Sequence, residues 1–244
     1  MDSIAAQRAA CDVAGVQVVI VSSPGRGPAP HWSRERAAAL ATAAAAAGRD
    51  VRWLVGMHAD EPPPPPCGHG VQVLTFRGRA RLPLARVAKS CSDGPLELAL
   101  TESLRARPDS AVVHVGLGAG GTPNALWLAD RLGSPTWACV RGDELVCHRG
   151  DLLDRDKRVC EDWDDAERCR WCVSSSWWSA PRADDLRNRA DLIVAALQTC
   201  AAIAVPAPRD AARVEALGVS AEKVRVGDAP AQLLKLLEGA AGSS

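Results

Sequence analysis

Val16-Gln17-Val18-Val19-Ile20-Val21 is apolar at every position but one, and Ser22-Ser23-Pro24-Gly25-Arg26-Gly27-Pro28-Ala29-Pro30 follows it at once. A short β-branched run without polar alternation predicts a strand buried on both faces, the habit of parallel sheets covered by helices. The Ser-, Pro- and Gly-rich run ends that strand in a turn. Trp32 to Ala47 then reads as a helix, with Ser33 as candidate N-cap and Gly48 as its stop. Strand, Gly-bearing loop and helix together make half of a βαβ unit.

The same alternation continues along the chain. Val51–Val55, Val71–Phe76, Ala111–Val115, Thr136–Val140, Ala201–Val205 and Lys223–Val226 predict further strands. Leu82 to Arg105 predicts one or two helices around a break at Ser90–Pro95. Further helices are expected over Pro123–Leu132, Ala183–Leu197, Arg209–Leu217 and Ala231–Leu237. Pro62 to Pro66 can be neither helix nor central strand and predicts an exposed loop. The expected architecture is α/β: a Rossmann-like open, mostly parallel sheet with helices on both faces. It forms a single domain over residues 16–244, after an N-terminal extension of residues 1–15. A Cys- and Trp-rich insertion occupies about residues 143–180.

Composition narrows the function. Lys plus Arg is 29 and Asp plus Glu is 29 in 244 residues, a formal net charge of zero. A sequence-independent nucleic-acid binder needs a basic excess to displace counterions, so nucleic acid is not an expected partner. The longest apolar run, Ala37 to Ala47, falls short of the ~20 residues of a membrane span. Met1 to Ala10 lacks the apolar core of a signal peptide. The expected location is cytoplasmic, where the nine cysteines stay mostly reduced.

Open parallel sheets bind ligands beyond the carboxyl ends of their strands, where backbone N–H groups meet anions. Two Gly-bearing loops belong there. In the first, Gly25 and Gly27 allow close backbone approach, Arg26 adds positive charge, and His31 stands at its end. The second, Gly116-Leu117-Gly118-Ala119-Gly120-Gly121, matches G-x-G-x-x-G between a strand and a helix. Asp143 and Glu144 follow the next strand, about where a ribose-binding acid would lie, so an NAD(P)-binding reading stays open. Three strands precede this loop, whereas the dinucleotide fingerprint normally opens its domain, so a plain tight-turn reading stays open too. His114 sits inside an apolar strand, where a lone histidine is expected in the core.

Cys169-Arg170-Trp171-Cys172, Cys160 and Cys147-His148 could build a tetrahedral zinc site or a redox dithiol. Their spacing is irregular and no second C-x-x-C exists, so packing cysteines are the expectation and no metal ligand is assigned. Trp163, Trp171, Trp177 and Trp178 read as local core, with a sugar-stacking surface as the alternative. There is no G-x-S-x-G, H-E-x-x-H or G-x-x-x-x-G-K-[ST], which removes the serine hydrolase, zincin and P-loop readings.

Taken in order, these segments resemble the N-terminal domain of the family 4 glycosyltransferases of the GT-B fold. Val18 to Gly27 looks like the family's first strand and Gly loop, and Arg36 to Leu54 is similar to its "RA..LA..L...GHDV.VL" segment. Pro108 to Val115 resembles "PD.VHVH", with Gly116 where the family has its second histidine. Ala125 to Gly142 is similar to the helix, "LG.P" turn and strand before an "HG.E"-like loop. Asn188 to Ala196 resembles "E+.L..AD.V.V.S", and Leu217 to Val226 resembles "LGV...KV.V". The resemblance covers roughly residues 16 to 227. It implies transfer of a sugar from a nucleotide-sugar to an acceptor hydroxyl with retention, the nucleotide-sugar being a substrate and no cofactor being required.

The resemblance assigns Gly25, Arg26, Gly27 and His31 to the donor phosphates or acceptor, and His114, Gly116 and Gly118 to the cleft. Arg141, Asp143 and Glu144 would bind acceptor hydroxyls. No residue is assigned a catalytic role. After Val226-Gly227-Asp228-Ala229-Pro230 the family continues into a second Rossmann domain, whereas here one helix follows. The expectation is therefore an acceptor-side half whose turnover needs a donor domain, for example on a separate chain. A non-catalytic scaffold half-domain is the alternative from another class. If the first loop is an anion site, Gly27→Val weakens binding of a nucleotide-sugar or phosphorylated acceptor about tenfold, ~1.4 kcal/mol, with little change in stability. Calorimetry checks this, and unchanged affinity in a folded variant returns the loop to ordinary turns.

Overall fold

The computed structural model describes residues 16–22, 31–57, 63–77, 93–117, 122–148, 152–174 and 182–227. Its strands are β1 (Val18–Ser22), β2 (Val51–Met57), β3 (Val71–Arg77), β4 (Ala111–Val115), β5 (Thr136–Cys139), β6 (Ala202–Val205) and β7 (Val224–Val226). They form one sheet in the order β3-β2-β1-β4-β5-β6-β7. Every neighbouring pair is parallel, so the mostly parallel expectation becomes a fully parallel sheet among the described residues. The helices are α1 (His31–Ala46), α2 (Gly94–Ala106), α3 (Asn124–Arg131), α4 (Gly142–Val146), α5 (Ala166–Ser174), α6 (Ala183–Thr199) and α7 (Pro208–Ala216).

Alternation within each buried strand divides the core between two faces. Val18, Ile20, Trp53, Val55 and Val113 pack with Ala37, Leu40, Ala41 and Ala44 of α1. The alanines of α1 are good helix formers and small enough to let the helix lie close on the sheet. Val19, Val21, Leu54 and Val112 point the other way, onto Leu96, Leu100 and Leu104 of α2 and Ala125 and Ala129 of α3. Ala138 and Ile203 continue that second face under Ile193, Ala196 and Leu197 of α6.

Polar side chains pin the starts of three adjacent strands. Gln17 donates from Nε2 to Asp50 Oδ2 at 2.7 Å, and its Oε1 accepts from Ser110 Oγ at 3.2 Å. These contacts precede β2, β1 and β4 in turn, so they oppose a register slip that would carry apolar side chains to the wrong face.

Several expectations shift. The first strand runs Val18–Ser22, not Val16–Val21, and β2 extends to Met57. The first helix starts at His31, so Ser33 lies within its first turn and is not the N-cap. The break at Ser90–Pro95 contains a helix start: Asp93 Oδ1 accepts from Leu96 N at 3.4 Å and Glu97 Oε1 from Asp93 N at 2.7 Å. The Asp93 side chain thus caps the helix, and Glu97, one position beyond that of a capping box, satisfies the cap's own amide. The helical reading of 82–92 and the helix at 231–237 lie outside the described residues.

The Cys- and Trp-rich insertion expected over about 143–180 contains most of α4, an antiparallel bridge between Leu153 and Val159, and α5. Leu145 and Val146 of α4 are buried, so its first residues belong to the main core. Val173 of α5 packs on Leu186 of α6, with Cys169 alongside. At Gly142 the chain passes so close to α7 that a Cβ would stand 2.9 Å from Asp210 Cα and 3.0 Å from its carbonyl oxygen. Gly142 N also donates to Asp210 Oδ1 at 2.9 Å. Because backbone cannot swing aside as a side chain can, Gly142→Ala destabilises the fold by about 1–3 kcal/mol. Urea unfolding followed by circular dichroism measures the loss, and an unchanged midpoint contradicts the close approach.

Candidate functional site

In the order 3-2-1-4, chain leaving β1 returns to one side and chain leaving β4 to the other. The crevice between them, outside the carboxyl ends of both strands, is the general ligand site of open parallel sheets. Ser22 ends β1, and its Oγ accepts from Trp53 Nε1 at 2.9 Å in the buried core. Gly116 and Leu117 continue from the end of β4.

Gly116 has φ +78, a conformation that disfavours any Cβ. A Cβ there would also stand 2.8 Å from Ser33 Cβ and 3.8 Å from Glu144 Oε2. The first turn of α1, the end of β4 and the start of α4 therefore meet around one glycine. Glu144, half-buried, accepts at Oε1 from Leu117 N and from Arg141 N, each at 3.2 Å. On the other side of the same residue, Arg189 Nη2 of α6 donates to Leu117 O at 3.2 Å. Leu117 is thus held at its amide by an acid and at its carbonyl by a base, while its side chain is buried.

Burial is the largest influence on Glu144 and lifts its carboxyl from 4.5 to about 7. The Arg141 and Leu117 amides and the charges of Arg141 and Arg189 oppose that rise. A carboxyl poised near neutrality can accept a hydrogen bond or give up a proton at physiological pH. His114 is fully buried in β4, with Nε2 3.3 Å from Thr122 Oγ1. Burial lowers it from 6.5 to about 4, so the imidazole is neutral at neutral pH.

Among the residues expected at a site, Gly116 and Glu144 come together at the crevice. Arg141 and Asp143 lie beside them, joined by an ion pair of 2.9 Å, and Asp143 also pairs with Arg213 of α7. Those contacts fasten α4 to α7. His31 is the first residue of α1. Gly25, Arg26, Gly27 and Gly118 lie outside the described residues, as does Gly121. Two participants escaped the sequence reading, Ser33 as a contact and Arg189 as a clamp. Arg189 follows Leu186 by three residues and precedes Ile193 by four, a core-facing position in the helical period. A charged residue at such a position was the available signal.

The pH dependence of stability tests the state of Glu144. The folded chain keeps this proton to about pH 7, whereas the unfolded chain releases it near 4.5. Stability from this group therefore falls as pH rises through that window and is level above it. The buried His114 and His148 slope the other way, because below about 6.5 only the unfolded chain binds their protons. Comparing wild type with Glu144→Gln isolates the carboxyl. The variant gains stability relative to wild type as pH rises from about 4.5 to 7, read by urea unfolding. Parallel curves contradict the assignment.

No family model matches the chain, and no curated protein matches it. Among solved structures it is similar to Phytolacca americana UGT2 complexed with UDP-2fluoro-glucose and pterostilbene, at 15% identity and TM-score 0.45, covering 79% of this chain and 48% of that one. It is similar to Anabaena HepE in complex with UDP, at 12% identity and TM-score 0.43, covering 92% of this chain and 50% of that one. It is also similar to the UDP-GlcNAc 2-epimerase of Methanocaldococcus jannaschii, at 12% identity and TM-score 0.39, covering 86% and 45%. The chain spans about half the length of these three, and likeness at this level carries no argument about activity. No helix among the described residues is long and apolar enough to cross a membrane.

Proposed function

We propose that the chain is a glycosyltransferase-like protein. It supplies the acceptor side of a sugar transfer from a nucleotide-sugar to an acceptor hydroxyl. The observation that carries this reading is the junction of Gly116, Ser33 and Glu144 at the switch point of the sheet. The ordered resemblance of residues 16 to 227 to family 4 glycosyltransferases adds to it.

The chemistry of the β4 side of the crevice favours a sugar hydroxyl over a phosphate. Glu144 already satisfies Leu117 N, the amide a pyrophosphate would need at the start of a G-x-G-x-x-G loop. Its carboxyl would also repel a phosphate, whereas it can accept a hydrogen bond from a hydroxyl. That argues against the NAD(P) reading of this loop. Gly25, Arg26 and Gly27, on the loop after β1, would meet the donor phosphates, with His31 beside them. Gly118 would form the opposite lip with Gly116. Arg141 and Asp143 would hold Glu144 in place through their shared ion pairs, and His114 would support the strand from within the core. The resemblance places most of the donor nucleotide on a second Rossmann domain.

Isotope-edited NMR of the whole chain tests the reading. Titration with nucleoside-diphosphate sugars and with mono- and disaccharide acceptors shifts the amide signals of Gly116, Leu117 and Ser33. Shifts at those amides with NAD(P)H, and none with any saccharide, overturn it in favour of a dinucleotide site. Silence with every ligand overturns it in favour of a scaffold module.

A further inference from the structure

Away from the crevice, the segment 152–174 folds against the end of α4. There Cys147, His148, Cys160, Cys169 and Cys172 line one cavity of about 30 Å³. Cys169 and Cys172 stand three residues apart on α5, a spacing that puts both thiols on one face. Cys160 is set by the loop that precedes α5, its amide donating to Leu152 O at 2.8 Å. None of these four cysteines is in a disulfide. Three separate stretches of chain thus deliver four thiols and an imidazole to a space the size of one small ion or water.

His148 supplies an independent observation. It is 6% exposed, and its Nδ1 has no hydrogen-bond partner among the described residues. A buried ring nitrogen without a partner needs an explanation, and an ion is one.

We propose that Cys160, Cys169 and Cys172, with a fourth donor from the adjacent Cys147–His148 pair, bind one zinc ion that ties the 152–174 segment to the end of α4. A closed set of three or four sulfur ligands, completed by imidazole where a thiolate is lacking, is the chemistry of structural zinc. Each ligating thiol gives its proton to solvent as the metal binds. Without a cation, burial and the neighbouring thiols push Cys169 up to about 12, so this one thiol stays protonated. Among the described residues no three His, Cys, Asp or Glu side chains already stand in a metal-holding arrangement. Binding therefore draws the donors inward around the cavity. Irregular spacing along the chain is no bar to such a site, because the fold brings Cys147, Cys160, Cys169 and Cys172 to one cavity.

The test uses the whole chain, purified with zinc present and dialysed extensively. Elemental analysis is expected to give about one zinc per chain, and cobalt substitution to give a thiolate-to-metal charge-transfer band. Cys169→Ser with Cys172→Ser abolishes both signals, whereas Cys67→Ser with Cys200→Ser, outside the cavity, leaves them. Loss in Cys147→Ser or in His148→Ala names the fourth ligand, and retention in both overturns the pair as its source. Should the double variant fail to fold, chelation of the wild type gives a second reading. Hydrogen exchange then rises across 152–174 and falls again when zinc is restored. No zinc in the purified chain and none taken up on titration overturns the site. So does a Cys169–Cys172 disulfide found by mass spectrometry, which marks a redox pair instead.

Discussion

The parallel pairing of β1 with β4 is the constraint on which the rest of the structure depends. Val18 pairs with Ala111 and Ser22 with Val115, while the other edge of β1 pairs with β2 from Val51 to Val55. Because β1 leads to β2 on one side while its other neighbour, β4, leads to β5 on the opposite side, the chain diverges at their carboxyl ends. The order of strands makes the crevice. Shifting that pairing by one residue would turn Val19 and Val21 from α2 toward α1 and displace Gly116 from Ser33.

Around the crevice, charge is used to hold backbone in place. Glu144 grips the Leu117 amide and Arg189 its carbonyl, from α4 and α6. Arg141, Asp143 and Arg213 then fasten α4 to α7. A lip fixed in this way needs no rearrangement when a ligand arrives, which is the condition for preorganised polar recognition. Glu144 itself has a second role available, since burial has brought its proton into the neutral range. One carboxyl thus joins the architecture of the sheet to the chemistry proposed at its edge.

Most of the fold was legible because its strands are continuously apolar and its helices are bounded by Gly, Pro and Asp. The margins moved where tertiary contact decides: Ser33 looks like an N-cap by residue type, yet its place is set by packing against Gly116. The five-residue α4 was missed because a helix that short carries no period, and its charged start disguised a buried end. Gly116 and Glu144 were legible as a glycine after a strand and an acid after the next one. Arg141 and Asp143 were legible as charges, but their ion pairs with each other and Arg213 involve residues up to 70 apart, which local patterns do not encode. The cysteines show the same limit, because distance along the chain said nothing of the shared cavity.

The most direct test of the central claim, that the β1/β4 switch point is the ligand site, is a crystal structure of the chain grown with a nucleoside-diphosphate sugar and a saccharide acceptor. The account predicts a saccharide in the crevice, with a hydroxyl on the Glu144 carboxyl and the ring beside Gly116 and Ser33. A saccharide bound at another face of the sheet, with this crevice holding only water, would contradict it.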